Sequence, residues 1–178
     1  RIKQRLCSLT GVNDEDYTAR RAELEQKYSI DYPLLPFCEE YELNYDQLLT
    51  ETFLAFDPSA VSIALRPGIE AINTLPGEKS VLSNSPTPYV ERMLNHFGIR
   101  QIFSEIHGSV PGQIIDKKNI STLAELVANT PTVMIDDTSE NLIIPHILGW
   151  KTVWFPEKTV NKKPAHVDQI ITTFEDLT

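Results

Sequence analysis

The stretch Thr132-Val133-Met134-Ile135-Asp136-Asp137 decides the fold that this sequence predicts. Residues 132–135 are all apolar or β-branched, which is typical of a strand that is buried on both faces. Such strands belong to parallel sheets covered by helices, and ligands bind beyond the carboxyl ends of their strands. The two carboxylates that follow the strand, Asp136 and Asp137, are therefore candidate site residues.

Further short apolar runs alternate with helical repeats along the second part of the chain. Residues 80–83 and 152–155 predict two more buried strands, and residues 169–174 predict an edge strand. One helix is predicted to open at Pro67-Gly68, and Pro145 lies inside another helix, where it should produce a kink. This alternation predicts an α/β fold, a Rossmann-like parallel sheet with helices on both faces.

The first 60 residues have a different pattern, with 12 acidic and 6 basic residues and five of the six tyrosines. Apolar side chains recur there at helical spacing, and Asn13 and Asn44 are predicted N-caps. Residues 32–36 contain two prolines and predict a connection between helices. We therefore expect residues 1–60 to form a small all-helical domain and residues 61–178 to form the α/β domain.

Composition excludes several classes of protein. The 178 residues carry a formal charge of −9, which disfavours a nucleic acid polymer as partner. No apolar run approaches the length of roughly 18–20 residues that a membrane helix needs. Only two cysteines occur, which excludes a disulfide scaffold or a zinc cluster and fits a cytoplasmic location. The sequence contains no Gly-x-Gly-x-x-Gly, so a nucleotide-binding dehydrogenase is set aside. Separately, we expect the protein to be a monomer or a homodimer.

Polar residues at one predicted strand end suit a phosphate. Ser83, Asn84 and Ser85 follow the strand at residues 80–83 and precede a helix, so hydroxyls and backbone N–H groups are available to an anion. The alternative is that Ser83 and Ser85 only cap the helix.

The other predicted strand end suits a cation. Asp136 and Asp137 should repel each other, and Mg²⁺ would relieve that repulsion, with Asn141 one turn further on. Alternatively, Asp137 or Thr138 is a helix N-cap and Asp136 a solvated loop residue. Lys117 and Lys118 precede the helix that leads to this strand. They could reach a phosphate or simply lie in solvent.

The order of these features resembles motifs two to four of the haloacid dehalogenase (HAD) superfamily of phosphohydrolases. The segments that carry the resemblance to its pyrimidine 5′-nucleotidase branch are Arg66-Pro67-Gly68, Leu82-Ser83-Asn84-Ser85-Pro86, Phe97-Gly98-Ile99, Ile135-Asp136-Asp137-Thr138 and Gly149-Trp150-Lys151-Thr152-Val153. The resemblance implies a HAD core at residues 61–178 and a helical cap at residues 1–60. It also implies a Mg²⁺-dependent phosphatase for a small phosphorylated metabolite, a nucleoside 5′-monophosphate above all.

The resemblance also implies a role for each candidate residue. Ser83 would hydrogen-bond the transferring phosphoryl oxygen, with Asn84 beside it. Lys118, or else Lys117, would neutralise the phosphoryl group, and Lys118 is preferred because it stands directly before the helix. The cation would be held by the paired carboxylates with support from an amide, that is, by Asp136, Asp137 and Asn141.

The sequence departs from the superfamily at its first motif, an Asp-x-Asp-x-Thr on the first strand that supplies the nucleophile. No strand with this motif precedes the helical part, and Asp14-Glu15-Asp16 stands at a predicted helix start. We expect the first strand to precede Arg1. The alternative is a catalytically inactive HAD-fold protein that binds a ligand or a protein partner. Dehalogenation is a third possibility, and independence from Mg²⁺ would distinguish it.

Overall fold

The computed structural model describes residues 2–29, 32, 34–60, 69–110, 114–126 and 131–178. The chain forms two compact units. The first contains Arg1–Ser62, Ser83–Arg100 and Ile106–Ile115, and the second contains Ile63–Leu82, Gln101–Glu105 and Asp116–Thr178. The division into domains at residue 60 stays a prediction. None of the described helices is long and apolar enough to cross a membrane.

Helices make up most of the first unit. They are α1 (Ile2–Thr10), α2 (Tyr17–Tyr28), α3 (Leu35–Tyr41) and α4 (Tyr45–Leu49), which continues as a π-helical turn at Thr50–Leu54. A 3-10 turn follows at Pro58–Ala60. The helices pack around one apolar core whose most deeply buried side chains include Leu6, Leu24, Leu34, Phe37 and Leu48. The helical character predicted for this part of the chain is therefore confirmed.

Two local predictions in this unit are wrong. Helix α2 begins at Tyr17 rather than after Asn13, because Asn13 heads a turn in which its carbonyl accepts the N–H of Asp16. Helix α3 occupies part of the predicted connection, since Pro36 stands in its first turn, where the missing N–H costs nothing. The cap at Asn44 is confirmed: its Oδ1 accepts the N–H of Gln47 at 2.9 Å.

The first unit also holds the end of the first strand and the helix that follows it. Strand β1 (Ser80–Pro86) leads into α5 (Thr87–His96), and β1 pairs with β2 (Glu105–Ser109). A 3-10 turn at Arg100–Ile102 separates α5 from β2. The strand predicted at residues 80–83 is confirmed and runs three residues further.

The second unit contains a three-stranded parallel sheet in the order β3-β4-β5. These strands are β3 (Val133–Asp136), β4 (Lys151–Trp154) and β5 (Gln169–Ile170). In the parallel register, Val133 pairs with Lys151 and Asp136 pairs with Trp154. The sheet confirms the predicted α/β class and places Asp136 at the carboxyl end of β3.

The helical segments of the second unit are short. They are α6 (Ile120–Leu126), α7 (Ile143–Ile147) and 3-10 turns at Ile69–Thr74, Ser139–Leu142 and Phe174–Leu177. Pro145 is the third residue of α7, in the first turn, where its missing N–H leaves no helical bond unmade, and the 3-10 turn before it ends at Leu142. The predicted kink inside this helix stays a prediction. The predicted helix opening at Pro67-Gly68 lies outside the described residues.

Candidate active site

Asp136, the last residue of β3, is only 6% exposed. A buried carboxylate is costly unless donors compensate it. Here the Nζ of Lys117 donates to Oδ2 at 2.7 Å, and the N–H of Thr138 and the Nδ2 of Asn141 donate to Oδ1 at 2.9 and 3.0 Å. Asp136 is therefore a paired interior carboxylate rather than the solvated loop residue of the alternative interpretation.

Lys117, and not Lys118, reaches this carboxylate. The Lys117 side chain is 17% exposed, whereas Lys118 is exposed and its backbone N–H donates to Oδ1 of Asp116 at 2.8 Å. The side chain of Asn119 accepts backbone N–H groups in the first turn of α6 and so fixes where the helix starts. Of the two lysines, Lys117 is thus the one that the structure places at Asp136, which departs from the sequence-based preference for Lys118.

The turn after β3 is held by a second set of bonds. The bond from the Thr138 N–H to Asp136 closes an Asx-turn, which explains why the chain reverses immediately after the strand. The next residues form the 3-10 turn that carries Asn141, and Nε2 of His166 bonds to the carbonyl of Ser139 at 2.9 Å. Asn141 therefore donates to Asp136 from a fixed backbone, and its predicted part in holding a cation stays a prediction.

Asp137 differs from Asp136 in that its side chain is exposed. Its main-chain carbonyl accepts the indole Nε1 of Trp154 at 2.9 Å, so the backbone is fixed while the carboxylate faces solvent. Sequence reasoning did not single out Trp154 as a site residue, and only the parallel register that sets it opposite Asp136 reveals the contact.

The carboxylates of Asp136 and Asp137 can be tested for their fit to a Mg²⁺ ion. Within the described ranges, no three His, Cys, Asp or Glu side chains form a group that could hold a metal ion. Mg²⁺ nevertheless keeps several waters and often takes only one or two carboxylates plus a substrate phosphate. Oδ2 of Asp136 accepts a bond from Lys117 and has capacity for another, and the carboxylate of Asp137 is exposed. The two carboxylates therefore fit an ion that is bound mainly through water and phosphate.

Ser83 and Asn84 lie on β1, in the other compact unit. Ser83 Oγ accepts the N–H of Ser85 at 3.1 Å, and Asn84 Oδ1 is buried without a hydrogen-bond partner among the described residues. Helix α5 has Pro86 at its N-cap position and no side-chain capping bond. The helix-capping role that was the alternative for Ser83 and Ser85 is therefore not formed.

The segment Asp14-Glu15-Asp16, set aside above because it stands at a predicted helix start, is followed by Tyr17 and Thr18 and so matches the first motif of the superfamily in letters. The structure places it in an exposed turn and the first residues of α2, not at a strand end. Asp14 pairs with Lys3 at 2.8 Å, and its side chain is 73% exposed. These carboxylates thus lie neither on a strand nor in the interior.

The comparisons with known proteins support the fold. No protein-family model and no curated protein matches the chain. Solved structures do: a HAD phosphatase from Thermococcus onnurineus matches with a TM-score of 0.62 at 16% identity, over 99% of this chain and 84% of that one. A protein from Clostridium difficile that is assigned as a phosphatase matches with a TM-score of 0.58 at 13% identity, over 99% and 86% of the two chains.

A third structure is that of a Bacillus subtilis protein assigned as a HAD hydrolase, which was determined with magnesium bound. It matches with a TM-score of 0.52 at 16% identity, over 99% of this chain and 77% of that one. At these identities the likeness concerns the fold: the chain has the fold of HAD phosphatases and hydrolases.

Proposed function

We propose that this protein is a Mg²⁺-dependent phosphatase that acts on a small phosphorylated metabolite, with a nucleoside 5′-monophosphate as the expected substrate. The observation that carries the proposal is the buried Asp136 at the carboxyl end of a parallel strand, paired with Lys117 at 2.7 Å and supported by Asn141. The phosphatase assignments of its fold neighbours support the same reaction class.

Three of the candidate residues would contact the phosphoryl group of the substrate. Lys117 supplies positive charge for the phosphoryl group, a role we transfer to it from Lys118 because of its contact with Asp136. Ser83 and Asn84 hydrogen-bond the phosphoryl oxygens. Such positioning and charge neutralisation are what phosphoryl transfer chiefly demands of a protein.

Asp136 and Asp137 are the residues that would hold Mg²⁺. When bound, the ion would neutralise charge on the phosphoryl oxygens. Asp137 offers an exposed carboxylate on a backbone that Trp154 fixes, and Asp136 is oriented by its three donors. The chain thus supplies one carboxylate oriented in the interior, Asp136, and one on a fixed backbone at the surface, Asp137.

The nucleophilic carboxylate of the proposed reaction would lie on a further strand, upstream of Arg1. Two observations support this part of the proposal. Strand β3 is at the edge of its three-stranded sheet within the described part of the chain, although Val133, Met134 and Ile135 carry no charge or proline to protect such an edge. The only Asp-x-Asp-x-Thr spacing in the sequence stands in an exposed turn.

The test is release of inorganic phosphate by the full natural chain from a panel of nucleoside 5′-monophosphates, with Mg²⁺ and with EDTA. We expect phosphate release to require Mg²⁺. We also expect Lys117→Ala and Asp136→Asn each to abolish it. Lys118→Ala, a substitution at the exposed neighbouring lysine, is the matched control and should retain activity. Absence of release, with phosphate binding preserved, would favour the inactive ligand-binding protein instead.

A further inference from the structure

Ser109 is a polar residue with no exposed surface at the end of β2. Its hydroxyl donates a hydrogen bond to the main-chain carbonyl of Asn84 at 2.9 Å and accepts one from the N–H of Ile115 at 3.1 Å. Both bonds go to the backbone of other segments, 25 and 6 residues away in the sequence. A buried hydroxyl that is satisfied in this way fixes the two segments to each other.

The preceding residue, Gly108, allows the close approach that these bonds need. A Cβ at position 108 would lie 2.7 Å from the backbone N of Thr87 and 2.8 Å from the carbonyl oxygen of Ser85. Both neighbours are backbone atoms, which cannot turn aside as the end of a long side chain can. Strand β2 thus lies so close to residues 85–87 that only glycine fits at position 108.

The segment held by these two residues is the one that carries Ser83 and Asn84. We infer that Gly108 and Ser109 position the Ser83-Asn84-Ser85 segment for phosphate binding, with Ser109 acting through the Asn84 carbonyl. This inference rests on the proposed function, in which that segment binds the phosphoryl group. Ser109 is a positioning residue and not a catalytic one, because its one hydroxyl proton goes to the Asn84 carbonyl and the side chain has no exposed surface.

The reason for an effect on affinity is conformational freedom. Without the Ser109 hydroxyl, the Asn84 carbonyl and the Ile115 N–H each lose a hydrogen bond in the interior, and the backbone at Asn84 is held by fewer bonds. Ordering it again on binding would cost free energy that the wild-type chain has already spent in folding. Phosphate should therefore bind more weakly to a Ser109 variant that is still folded.

Ser104 provides a matched control before the start of β2. Its Oγ donates to the main-chain carbonyl of Lys79 at 3.1 Å, which is the same chemistry over the same sequence separation of 25 residues. This bond is exposed and lies away from the Ser83-Asn84-Ser85 segment in the chain. Ser104→Ala thus removes an equivalent bond without touching the segment in question.

The experiment is calorimetric titration of the full chain with inorganic phosphate in the presence of Mg²⁺. We expect Ser109→Ala to weaken phosphate binding by about tenfold, and Ser104→Ala to change it by less than about twofold. Circular dichroism and the melting temperature establish that each variant is folded at the temperature of the titration. If Ser109→Ala does not fold, Ser109→Cys carries the same expectation, since its sulfur fills the space but donates only weakly.

Two outcomes would count against the role of Ser109, and they are distinguishable. If the wild type binds phosphate and folded Ser109 variants bind it equally well, the role of Ser109 is only structural and the inference is wrong. If the wild type itself binds no phosphate, the proposed function fails, and the inference fails with it. A lower melting temperature with unchanged affinity belongs to the first outcome.

Discussion

The ammonium of Lys117 lies 2.7 Å from Oδ2 of Asp136, and the two side chains are 17% and 3% exposed. The residues are 19 positions apart and approach the contact from different elements, the turn before α6 and the end of β3. Each charge is therefore withdrawn from water and depends on the other for compensation. Removal of one partner leaves an uncompensated charge in the interior.

Lys117→Ala should accordingly lower the free energy of unfolding by about 3 kcal/mol, the lower end for a broken buried pair, because Asp136 keeps two other donors. Lys118→Ala should change it by less than about 0.5 kcal/mol, as is usual for an exposed side chain. Urea unfolding of both variants checks this. Equal effects of the two substitutions would mean that the Lys117–Asp136 pair does not form.

Mg²⁺ binding can be followed through Trp154, whose Nε1 donates to the carbonyl of Asp137 at 2.9 Å. The sequence has two tryptophans, so Trp150→Phe leaves Trp154 as the only one. We expect a saturable change in its fluorescence on titration with Mg²⁺, and loss of that change in Asp137→Asn. Glu157→Gln, at another exposed carboxylate of the same unit, is the control and should retain the full response.

Leu142 tests the packing beneath the candidate site. It has no exposed surface and packs with Met134 and Val167, whereas Ile147 on α7 is 63% exposed. Leu142→Ala should cost about 2–4 kcal/mol of unfolding free energy through the cavity it leaves. Ile147→Ala should cost less than about 0.5 kcal/mol. Chemical denaturation of the two variants measures the difference directly.

Glu40 should make the stability of the chain depend on acidity. The hydrogen bond from Lys27, which has the largest effect, and the bond from Tyr28 lower the pKa of this carboxyl from 4.5 to about 2. A carboxyl whose pKa is depressed by folding stabilises the protein fully above its unfolded pKa, and that contribution is lost as the pH falls through the folded value.

The difference in unfolding free energy between wild type and Glu40→Gln should therefore be constant above about pH 4.5 and shrink as the pH falls towards about 2. Unfolding curves across this range test the expectation. Glu39→Gln, at the exposed neighbouring position, is the matched control. A pH-independent difference for Glu40→Gln would contradict the pairing of Glu40 with Lys27.

The elements that the sequence predicted well are those whose signal is local. The apolar run before Asp136 predicted β3, and Asn44 predicted a cap that is formed. Helix α3 was missed because Pro36 was interpreted as part of a connection, although proline is equally compatible with a first helical turn.

The parts of the site that could not be predicted depend on contacts between distant segments. Adjacent lysines carry identical local signals, and only the tertiary structure directs Lys117 to Asp136. Ser109 gave no signal at all, since a single serine looks the same in a sequence whether it lies in solvent or is fully buried. Its bond to the Asn84 carbonyl becomes visible only when β2 lies beside β1.

The edge position of β3 also bears on how the protein behaves at high concentration. Val133 is 54% exposed, and within the described residues this edge carries neither the lysine nor the proline that commonly prevents strands of separate molecules from pairing. Without the further strand proposed above to cover this edge, we expect two copies to pair edge to edge there and seed a growing sheet. Val133→Lys would interrupt such self-association, and light scattering as a function of concentration would register the change.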